Sequence, residues 1–495
     1  MGRGRSRVAW FLVLPVAAAE FLLLVATSNR YGYHRDELYF RVAARHLAWG
    51  YDDQPPLTPL LGRFSEWMFG ADPRGLRLLS AVAMALVVVL VALIARELGA
   101  GEAGQALAAL ATAASAAVMA VGHLLSTTTF DVLIWMTVVY IVVRILGDGD
   151  ERLWLLVGLV VGIGLENKQL VLLLVVALAS GCLLSRRWDL ARSPWLWMGA
   201  ALAVAVWLPN LVWQARHGWP QLELARKIAE EDAAGNRVEL IPLQFLLIGP
   251  LLAPLWLSGL WWLLRGTEAR PYRPIGLAYV VLLVIALVTG AKPYYTMGLL
   301  LALPAAGGVV AEGWWRARRP RKLALGFTIA LSAAVAALIT LPLVPVAKVH
   351  ATPIPDVNED AIETIGWLPF AATVGRVWNE LPQQQRSTAV VYTSNYGEAG
   401  AIARYGHAHG LPRAYSGHNA FWRFGRPPDG ARPIIVVGYN HPETLRIDFS
   451  GCVLAARIDN GVSLENEEQG APIWICATTT EAWSKLWPRL RSLNP

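Results

Sequence analysis

Long apolar runs recur along the first two thirds of the chain and limit the folds that it can adopt. A helix needs about 20 mainly apolar residues to cross the hydrocarbon core of a bilayer. Runs of this kind lie near residues 8–27, 76–95, 103–122, 129–146, 153–165, 169–184, 195–213, 239–264, 275–290, 295–311 and 323–345. They predict an α-helical polytopic membrane protein with about eleven transmembrane helices. The runs 153–165 and 169–184 are short for full crossings, so the count depends most on this pair.

The composition excludes an ordinary soluble protein and gives no sign of a nucleic-acid partner. Of the 495 residues, 55% are hydrophobic and 16% are charged, whereas soluble domains contain about 25% charged residues. The net charge is +7, but the basic residues lie largely between the apolar runs and form no nucleic-acid-binding motif. The predicted surroundings are therefore membrane lipids.

Four basic segments fall on one side of the membrane if the helices alternate in direction. Because Lys and Arg are enriched in cytoplasmic loops, this side is predicted to be cytoplasmic. The first apolar run is longer than the apolar region of a signal peptide, so it is predicted to be a retained helix. The protein is expected in the cell membrane, with its N-terminus in the cytoplasm and its C-terminus outside. The four segments are "RGRSR", "LLSRRWDLARS", "LLRGTEARPYRP" and "WWRARRPRKLAL".

The character of the chain changes after residue 345. A polar, Pro-rich stretch is followed by short β-like runs and by one helix-like run, which predict a small extracytoplasmic α/β domain at 346–495. Cys452 and Cys476 lie in predicted neighbouring strands, in a compartment that permits disulfides. The two alternatives are a disulfide between them and two free thiols. The β-like runs are "STAVVYTS", "PIIVVGY", "CVLAARID" and "PIWICAT".

The first predicted outside loop, residues 28–75, places many charges beside a membrane helix. Charged groups next to a bilayer are costly unless they face water, each other or a polar ligand, so the loop predicts a site at the membrane surface. A carboxylate there can take a proton from a hydroxyl that attacks a sugar carbon, and cationic side chains can bind a phosphate as it leaves. The acids of the loop are Asp36, Glu37, Asp52 and Asp53.

The middle of this loop predicts a helix that lies in the plane of the membrane interface. Apolar and aromatic side chains are interrupted there by Arg41 and Arg45, a pattern that suits such a helix. The apolar positions are Leu38, Val42, Leu47 and Trp49.

At these residues the sequence resembles the GT-C glycosyltransferases. "DELYFRVAARHLAWGYDDQPPLTPLLGRF" followed by "GLRLLSAV" is similar to the first outside loop of bacterial relatives of protein O-mannosyltransferase and of the aminoarabinose transferase that modifies lipid A. The resemblance continues through "STTTFDVLIW", "GLENKQLVLLL" and "AKPYYTMGLLLALPA" to about residue 345. It implies a GT-C catalytic membrane domain at 1–345 and transfer of a sugar from a polyprenyl-phosphate carrier, with inversion at the anomeric carbon.

The resemblance also implies roles for individual residues. Asp36 matches the catalytic base of the family, and Glu37, its acidic neighbour, is the second catalytic candidate. Asp53 matches the acid before the Pro-Pro pair. At Gln54 the aminoarabinose enzymes have a lysine, so the sequence does not support aminoarabinose as the donor sugar.

Two lysines are the candidates for the carrier phosphate: Lys168, and Lys292 with the adjacent Tyr294 and Tyr295. All four lie at the predicted outer ends of helices. The alternative for the lysines is an anchor that extends to the lipid headgroups, and the alternative for the tyrosines is the aromatic belt of the membrane interface.

The remaining candidates have structural alternatives of their own. Asp36 and Glu37 also suit the first turn of a helix, where the dipole favours acids, and Asp53 also suits a turn before proline. Asp53 and His217 are candidates for binding substrate or a divalent metal, and His217 is otherwise an ordinary loop histidine. No cofactor is assigned beyond that possible metal.

Two classes of function remain. The first is an inverting glycosyltransferase that moves a sugar from a polyprenyl-phosphate donor to an extracytoplasmic acceptor, which is a cell-envelope glycan, a lipid or a protein. The second is a transporter or flippase of a lipid-linked sugar. A flippase needs ionisable groups along the crossing, whereas here they collect at the predicted outer face, and this distribution favours the enzyme.

Overall fold

Helices form nearly all of the chain up to residue 340. The computed structural model describes residues 6–316 and 319–494, so parts of two predicted cytoplasmic segments, residues 3–5 and 317–318, lie outside the described residues. The helices of the described N-terminal part are α1 (Trp10–Thr27), α2 (Arg35–Ala43), α3 (Leu57–Phe69), α4 (Pro73–Glu97), α5 (Glu102–Ala113), α6 (Ala116–Gly122), α7 (Thr127–Asp148), α8 (Leu153–Leu165), α9 (Val171–Leu184), α10 (Pro194–Arg216), α11 (Pro220–Glu231), α12 (Ala233–Ile248), α13 (Ala253–Arg265), α14 (Arg273–Thr289), α15 (Met297–Leu300), α16 (Leu303–Arg316) and α17 (Arg319–Thr340).

These helices confirm a multi-pass membrane protein. Within the described residues, six helices are long and apolar enough to cross a membrane, and three bent pairs raise the number to nine if each pair is one span. The helices α8 and α9, which match the two short predicted runs, are apolar but shorter than that threshold. The predicted count of about eleven is therefore not confirmed.

One predicted span is sharply broken. The run 239–264 forms α12 and α13, which meet at 82°. Gly249 stands at the break with a φ of +106°, a conformation that residues with a side chain rarely adopt. Pro250 follows it and has no N–H to continue the helix. The dipeptide Gly249-Pro250 therefore accounts for this bend.

Glycines allow the membrane helices to pack closely. A Cβ atom at Gly158 of α8 would lie 2.0 Å from the carbonyl oxygen of Gly199 in α10. A Cβ at Gly181 of α9 would lie 2.2 Å from the carbonyl oxygen of Pro274 in α14. Since small residues let helix backbones approach each other in membranes, these contacts favour a tightly packed bundle.

The two ends of the bundle differ in what they hold. At one end, the Ser6 hydroxyl donates to the carbonyl oxygen of Ala100 at 2.6 Å, and the Gly101 N–H donates to Glu312 at 2.6 Å. At the other end lie the first loop and the C-terminal region, which contact each other directly, as in the hydrogen bond of Tyr396 to Asp36. The loop 28–75 and the chain after residue 345 therefore share one side.

The C-terminal region contains the small α/β unit that the sequence predicts. Its five-stranded sheet has the order β2-β1-β3-β6-β5, with β1 parallel to both β2 and β3, and with β6 antiparallel to β3 and β5. The strands β4 and β7 form a separate antiparallel pair. The elements are α18 (Ile354–Val357), α19 (Glu359–Ile362), α20 (Trp367–Glu380), α21 (Gln383–Arg386), β1 (Val390–Thr393), α22 (Tyr396–Tyr405), β2 (Ala414–Ser416), β3 (Ile434–Val437), α23 (Pro442–Asp448), β4 (Phe449–Ser450), β5 (Val453–Arg457), β6 (Pro472–Cys476), β7 (Thr478–Thr479) and α24 (Trp483–Leu486).

The four predicted β-like runs correspond to β1, β3, β5 and β6. The central strands β1 and β3 are buried at every position, as expected for a sheet that is covered on both faces. Cys452, just before β5, is joined to Cys476 at the end of β6 by a disulfide.

The helix α2 differs from the predicted interface helix. It ends at Ala43, and its Leu38 is buried against α22, where a Cβ at Gly400 would lie 2.8 Å from the Cβ of Leu38. Leu47 and Trp49 follow the helix and are 44% and 63% exposed. The apolar residues of this stretch thus serve two purposes: the first part packs against the C-terminal region, and only the later part is exposed.

Candidate active site

Glu37 is enclosed completely by hydrogen-bond donors. Its carboxylate accepts hydrogen bonds from Arg77 at 2.7 and 2.8 Å and from the backbone N–H groups of Leu125 and His34, both at 2.9 Å. Both charged side chains are buried. Burial alone would raise the pKa of Glu37, but Arg77 and the other donors lower it below its usual value. Glu37 therefore holds α2 to the start of α4, and its environment is that of a structural residue. The catalytic role of Glu37 stays a prediction, and these contacts favour a structural role instead.

Asp36 has a much more open environment than its neighbour. Successive residues of a helix point about 100° apart, so Asp36 is directed away from Arg77. Its Oδ1 accepts a hydrogen bond of 2.7 Å from the Tyr396 hydroxyl on α22. Burial and the charge of Asp36 raise the pKa of Tyr396 well above its usual value, so the phenol keeps its proton. Among the described residues, Oδ2 of Asp36 has no hydrogen-bond or ion-pair partner.

The second acidic pair, Asp52 and Asp53, also has one fully buried and paired member and one more open member. Asp52 is fully buried and accepts hydrogen bonds from Arg423 and Arg491, the latter at 3.1 Å, so it ties the first loop to the C-terminal region. Asp53 is half-buried and accepts a 2.5 Å hydrogen bond from the Tyr39 hydroxyl. Burial raises the pKa of Asp53 to about 7, because it outweighs that hydrogen bond. Asp53 therefore remains a candidate for binding polar substrate groups.

The two candidate lysines lie at the same end of the bundle as Asp36. The Lys168 ammonium is 3.2 Å from the hydroxyl of Thr128 and lies 5.2 and 5.4 Å from the ring centres of Tyr294 and Tyr295. Burial lowers the pKa of Lys292, against the opposing effect of nearby carboxylates that include Asp36. Within the described part of the chain, neither ammonium has a carboxylate oxygen within 4.0 Å. Both ammonium groups are therefore available to bind an anion.

One cluster of side chains has the spacing of metal ligands. His34, Asp360 and Glu363 each offer one ligand atom, and these atoms lie within 4.8 Å of one another. The Nε2 atom of His34 is 2.9 Å from Glu363 and 3.8 Å from Asp360. Although burial lowers the pKa of His34, the carboxylates around it raise that pKa to about 9. A divalent cation would have to displace the proton of this histidine, so the arrangement favours an ion pair.

His217 does not belong to that cluster. It is exposed at the end of α10, where its ring stacks on Trp213 at a centroid distance of 4.0 Å. In the described residues, the only group with metal-ligand spacing contains neither His217 nor Asp53. The metal hypothesis for these two residues receives no support from their positions.

Several residues of the site were not identified from the sequence. Tyr396, Glu363 and Arg423 belong to the C-terminal region, and they reach the first loop across 328 to 371 positions of chain. Asn395 and Glu398 form a capping box that marks the start of α22. That signal predicts a helix beginning at Tyr396, but nothing in it indicates a contact with Asp36.

Known proteins share both a segment and the fold of this chain. A family model described as dolichyl-phosphate-mannose-protein mannosyltransferase matches residues 53–213. The matched segment contains Asp53, Arg77 and Lys168 and excludes Asp36 and Lys292. No curated protein matches the chain by sequence.

The structural similarity extends over nearly the whole chain. ArnT from Cupriavidus metallidurans in the apo state has a TM-score of 0.62 and 13% identity, covering 95% of this chain and 98% of that one. The same enzyme bound to undecaprenyl phosphate gives the same score and identity, with 94% and 98% covered. The arabinofuranosyltransferase AftD from Mycobacteria has a TM-score of 0.50 and 16% identity, covering 96% of this chain and 40% of that one.

The fold is therefore that of the GT-C class of membrane glycosyltransferases. The GT-C fold, predicted from the first loop, is confirmed by the whole-chain similarity. The matched segment, residues 53–213, is similar to the protein mannosyltransferase family and agrees with this fold.

Proposed function

We propose that the protein is an inverting glycosyltransferase that moves a sugar from a polyprenyl-phosphate donor to an extracytoplasmic acceptor. One observation carries the proposal: among the described residues, a carboxylate oxygen of Asp36 has no protein partner, and Lys168 and Lys292 at the same end of the bundle have no carboxylate oxygen within 4.0 Å. A base and a phosphate-binding pair are the groups that this reaction needs. The similarity of the fold to ArnT, which has been solved with undecaprenyl phosphate, supports a carrier of this kind.

The proposed reaction is a single displacement. Oδ2 of Asp36 takes the proton of an acceptor hydroxyl, and the hydroxyl oxygen attacks C1 of the sugar. The bond between C1 and the phosphate oxygen breaks, and the electron pair leaves with the polyprenyl phosphate. Lys168 and Lys292 stabilise the negative charge that develops on that phosphate. Tyr396 holds Asp36 in place through Oδ1.

The side of the membrane is part of the proposal. The acceptor is extracytoplasmic if the loop 28–75 and the region 346–495 face outward, with 1–345 as the catalytic membrane domain. An enzymatic reporter that is active only outside should work when fused after His350 and should be silent when fused after Arg187. The opposite pattern would place the site on the cytoplasmic side.

The activity itself can be tested with purified protein and a panel of polyprenyl-phosphate sugars. We expect release of polyprenyl phosphate from one donor, and Asp36→Asn serves as the matched control. A folded wild-type protein that consumes no donor would contradict the proposal. If it instead moves an intact lipid-linked sugar across vesicle membranes, the flippase alternative is correct.

A further inference from the structure

A cavity of about 290 Å³ lies where the end of α2 meets the C-terminal region. Its apolar wall includes Ile402 and Phe421, and its polar wall is formed by basic side chains. These are Arg45, His46, His407 and Arg413. A cavity with an apolar part and a few convergent polar groups is the usual form of a small-ligand site.

The ionisable side chains that line this cavity are all basic. None of its lining residues is acidic. Within the described residues, the side chains of Arg45 and His407 have no hydrogen-bond or ion-pair partner. The His46 ring stacks on Phe424 at 4.5 Å, and Arg413 lies 5.1 Å from the ring centre of Tyr415. Arg413 also donates to the carbonyl oxygen of Phe424, and no carboxylate of the described residues pairs with either arginine. The two exposed guanidinium groups therefore favour an anionic ligand.

The cavity is connected to the candidate active site through α22. Tyr396, which binds Asp36, begins this helix, and Ala399 and Ala403 line the cavity. Residues spaced by three and seven positions lie on the same face of a helix. With a rise of 1.5 Å per residue, the cavity extends to about 10 Å from Tyr396 along that face. The cavity and the contact with Asp36 therefore lie on one face of α22 at this separation.

The cavity also lies near the membrane interface. The chain that follows His46 exposes Leu47 and Trp49. The carbonyl oxygen of Trp49 accepts a 2.9 Å hydrogen bond from Asn210 near the end of α10, a candidate membrane span. Exposed tryptophans are typical of the interface, so an amphiphile in the membrane has access to this depth.

We infer that the cavity binds the acceptor, and that the acceptor is an amphiphile whose head group carries a phosphate or a carboxylate. The assignment of the ligand as the acceptor rests on the proposed function. The cationic wall binds the anionic group, the apolar wall contacts the adjoining part of the ligand, and a hydroxyl of the same head group is presented to Asp36.

The inference is tested by binding measurements with the full chain in detergent. The probes are octyl phosphate, the neutral octyl glucoside and inorganic phosphate. Octyl phosphate should bind most tightly, and octyl glucoside should not bind. Because a hydrogen bond to a charged group is typically strong, Arg45→Gln and Arg413→Gln should each weaken octyl phosphate binding by about 10-fold. Arg446→Gln changes an exposed arginine outside the cavity and should leave binding unchanged.

A parallel measurement separates this inference from the proposed function. Release of polyprenyl phosphate from the donor, measured in wild type and Arg446→Gln, reports the proposed function independently of octyl phosphate binding. Absence of octyl phosphate binding, or equal binding of inorganic phosphate, would overturn the inference. Normal octyl phosphate binding without donor turnover would contradict the proposed function, and with it the assignment of the ligand as the acceptor. The cavity would then still be an anion-binding site.

Discussion

The two sides of α2 contain adjacent acids with opposite surroundings. On one side, every oxygen of Glu37 is matched by donors from Arg77 and from backbone N–H groups, and the pair is buried. On the other side, Asp36 shares one oxygen with Tyr396, and the nearby Lys292 lacks a counterion in the described residues. A satisfied charge stabilises a fold, whereas an unsatisfied charge is available to a substrate. This difference is the basis on which we propose a catalytic role for Asp36 and a structural role for Glu37, which their shared position in the motif does not distinguish.

The largest effect is expected from Asp36→Asn. The substitution keeps the size of the side chain but removes the base, and a base typically contributes about 10²- to 10⁴-fold. Turnover at saturating donor should fall by that factor, while donor affinity and thermal stability stay close to those of the wild type. A normal rate in folded protein would contradict the role of Asp36 as the base, and the two acids of α2 would then not differ in function.

The second-largest expected effect is a loss of stability in the variant Glu37→Gln. Breaking a buried ion pair from one side costs about 3–5 kcal/mol, because the remaining charge stays buried. The melting temperature in detergent should fall clearly, while turnover per folded molecule should change little. Adding Arg77→Met should cost less than the sum of the two single changes, since the pair is removed together. Loss of turnover with unchanged stability would return Glu37 to the catalytic residues.

A smaller effect is expected from Lys292→Gln. Removing one charged hydrogen-bond donor from a phosphate costs about 1.5–3 kcal/mol, so donor affinity should fall by about 10- to 100-fold. Lys348→Gln provides the matched control, because Lys348 is an exposed lysine on the same side of the bundle. Equal donor binding by the two variants would favour a lipid anchor over a phosphate ligand at Lys292.

The smallest effect is expected from His217→Ala. His217 is exposed and stacks only on Trp213, and surface substitutions of this kind usually change stability by less than about 0.5 kcal/mol. Turnover should likewise be unchanged and insensitive to added Zn²⁺ or Mg²⁺. A metal requirement that disappears in His217→Ala would restore its predicted role as a ligand.

The sequence predicts what depends on local pattern. Apolar length identifies the membrane helices, short β-branched runs with flanking turns identify β1 and β3, and the motif around Asp36 identifies the acidic loop. The contacts that distinguish Asp36 from Glu37 are of another kind, because Tyr396 lies 360 positions away along the chain. Folding brings such residues together, and a single sequence contains no record of their proximity.

The same limit explains why the prediction did not separate the two acids or place the helix α2. Glu37 and Asp36 are equally acidic neighbours in the sequence, and only the position of Arg77 in the structure assigns one of them to the fold. The predicted interface helix had a suitable apolar pattern, but the surface that buries Leu38 is Gly400 of α22. A local sequence pattern shows that a residue is apolar or charged, whereas the residues that it contacts in the folded protein determine its role.

The stereochemistry of the product tests the central claim most directly. Our proposal assigns to Asp36, and not to the Arg77-paired Glu37, the activation of the acceptor, and the single displacement that it proposes inverts the anomeric centre. A donor of known anomeric configuration should be converted by the purified protein, and the linkage in the product should be read by NMR. Inversion is the predicted result. Retention would require a second displacement through an enzyme nucleophile, and it would contradict the division of roles between Asp36 and Glu37.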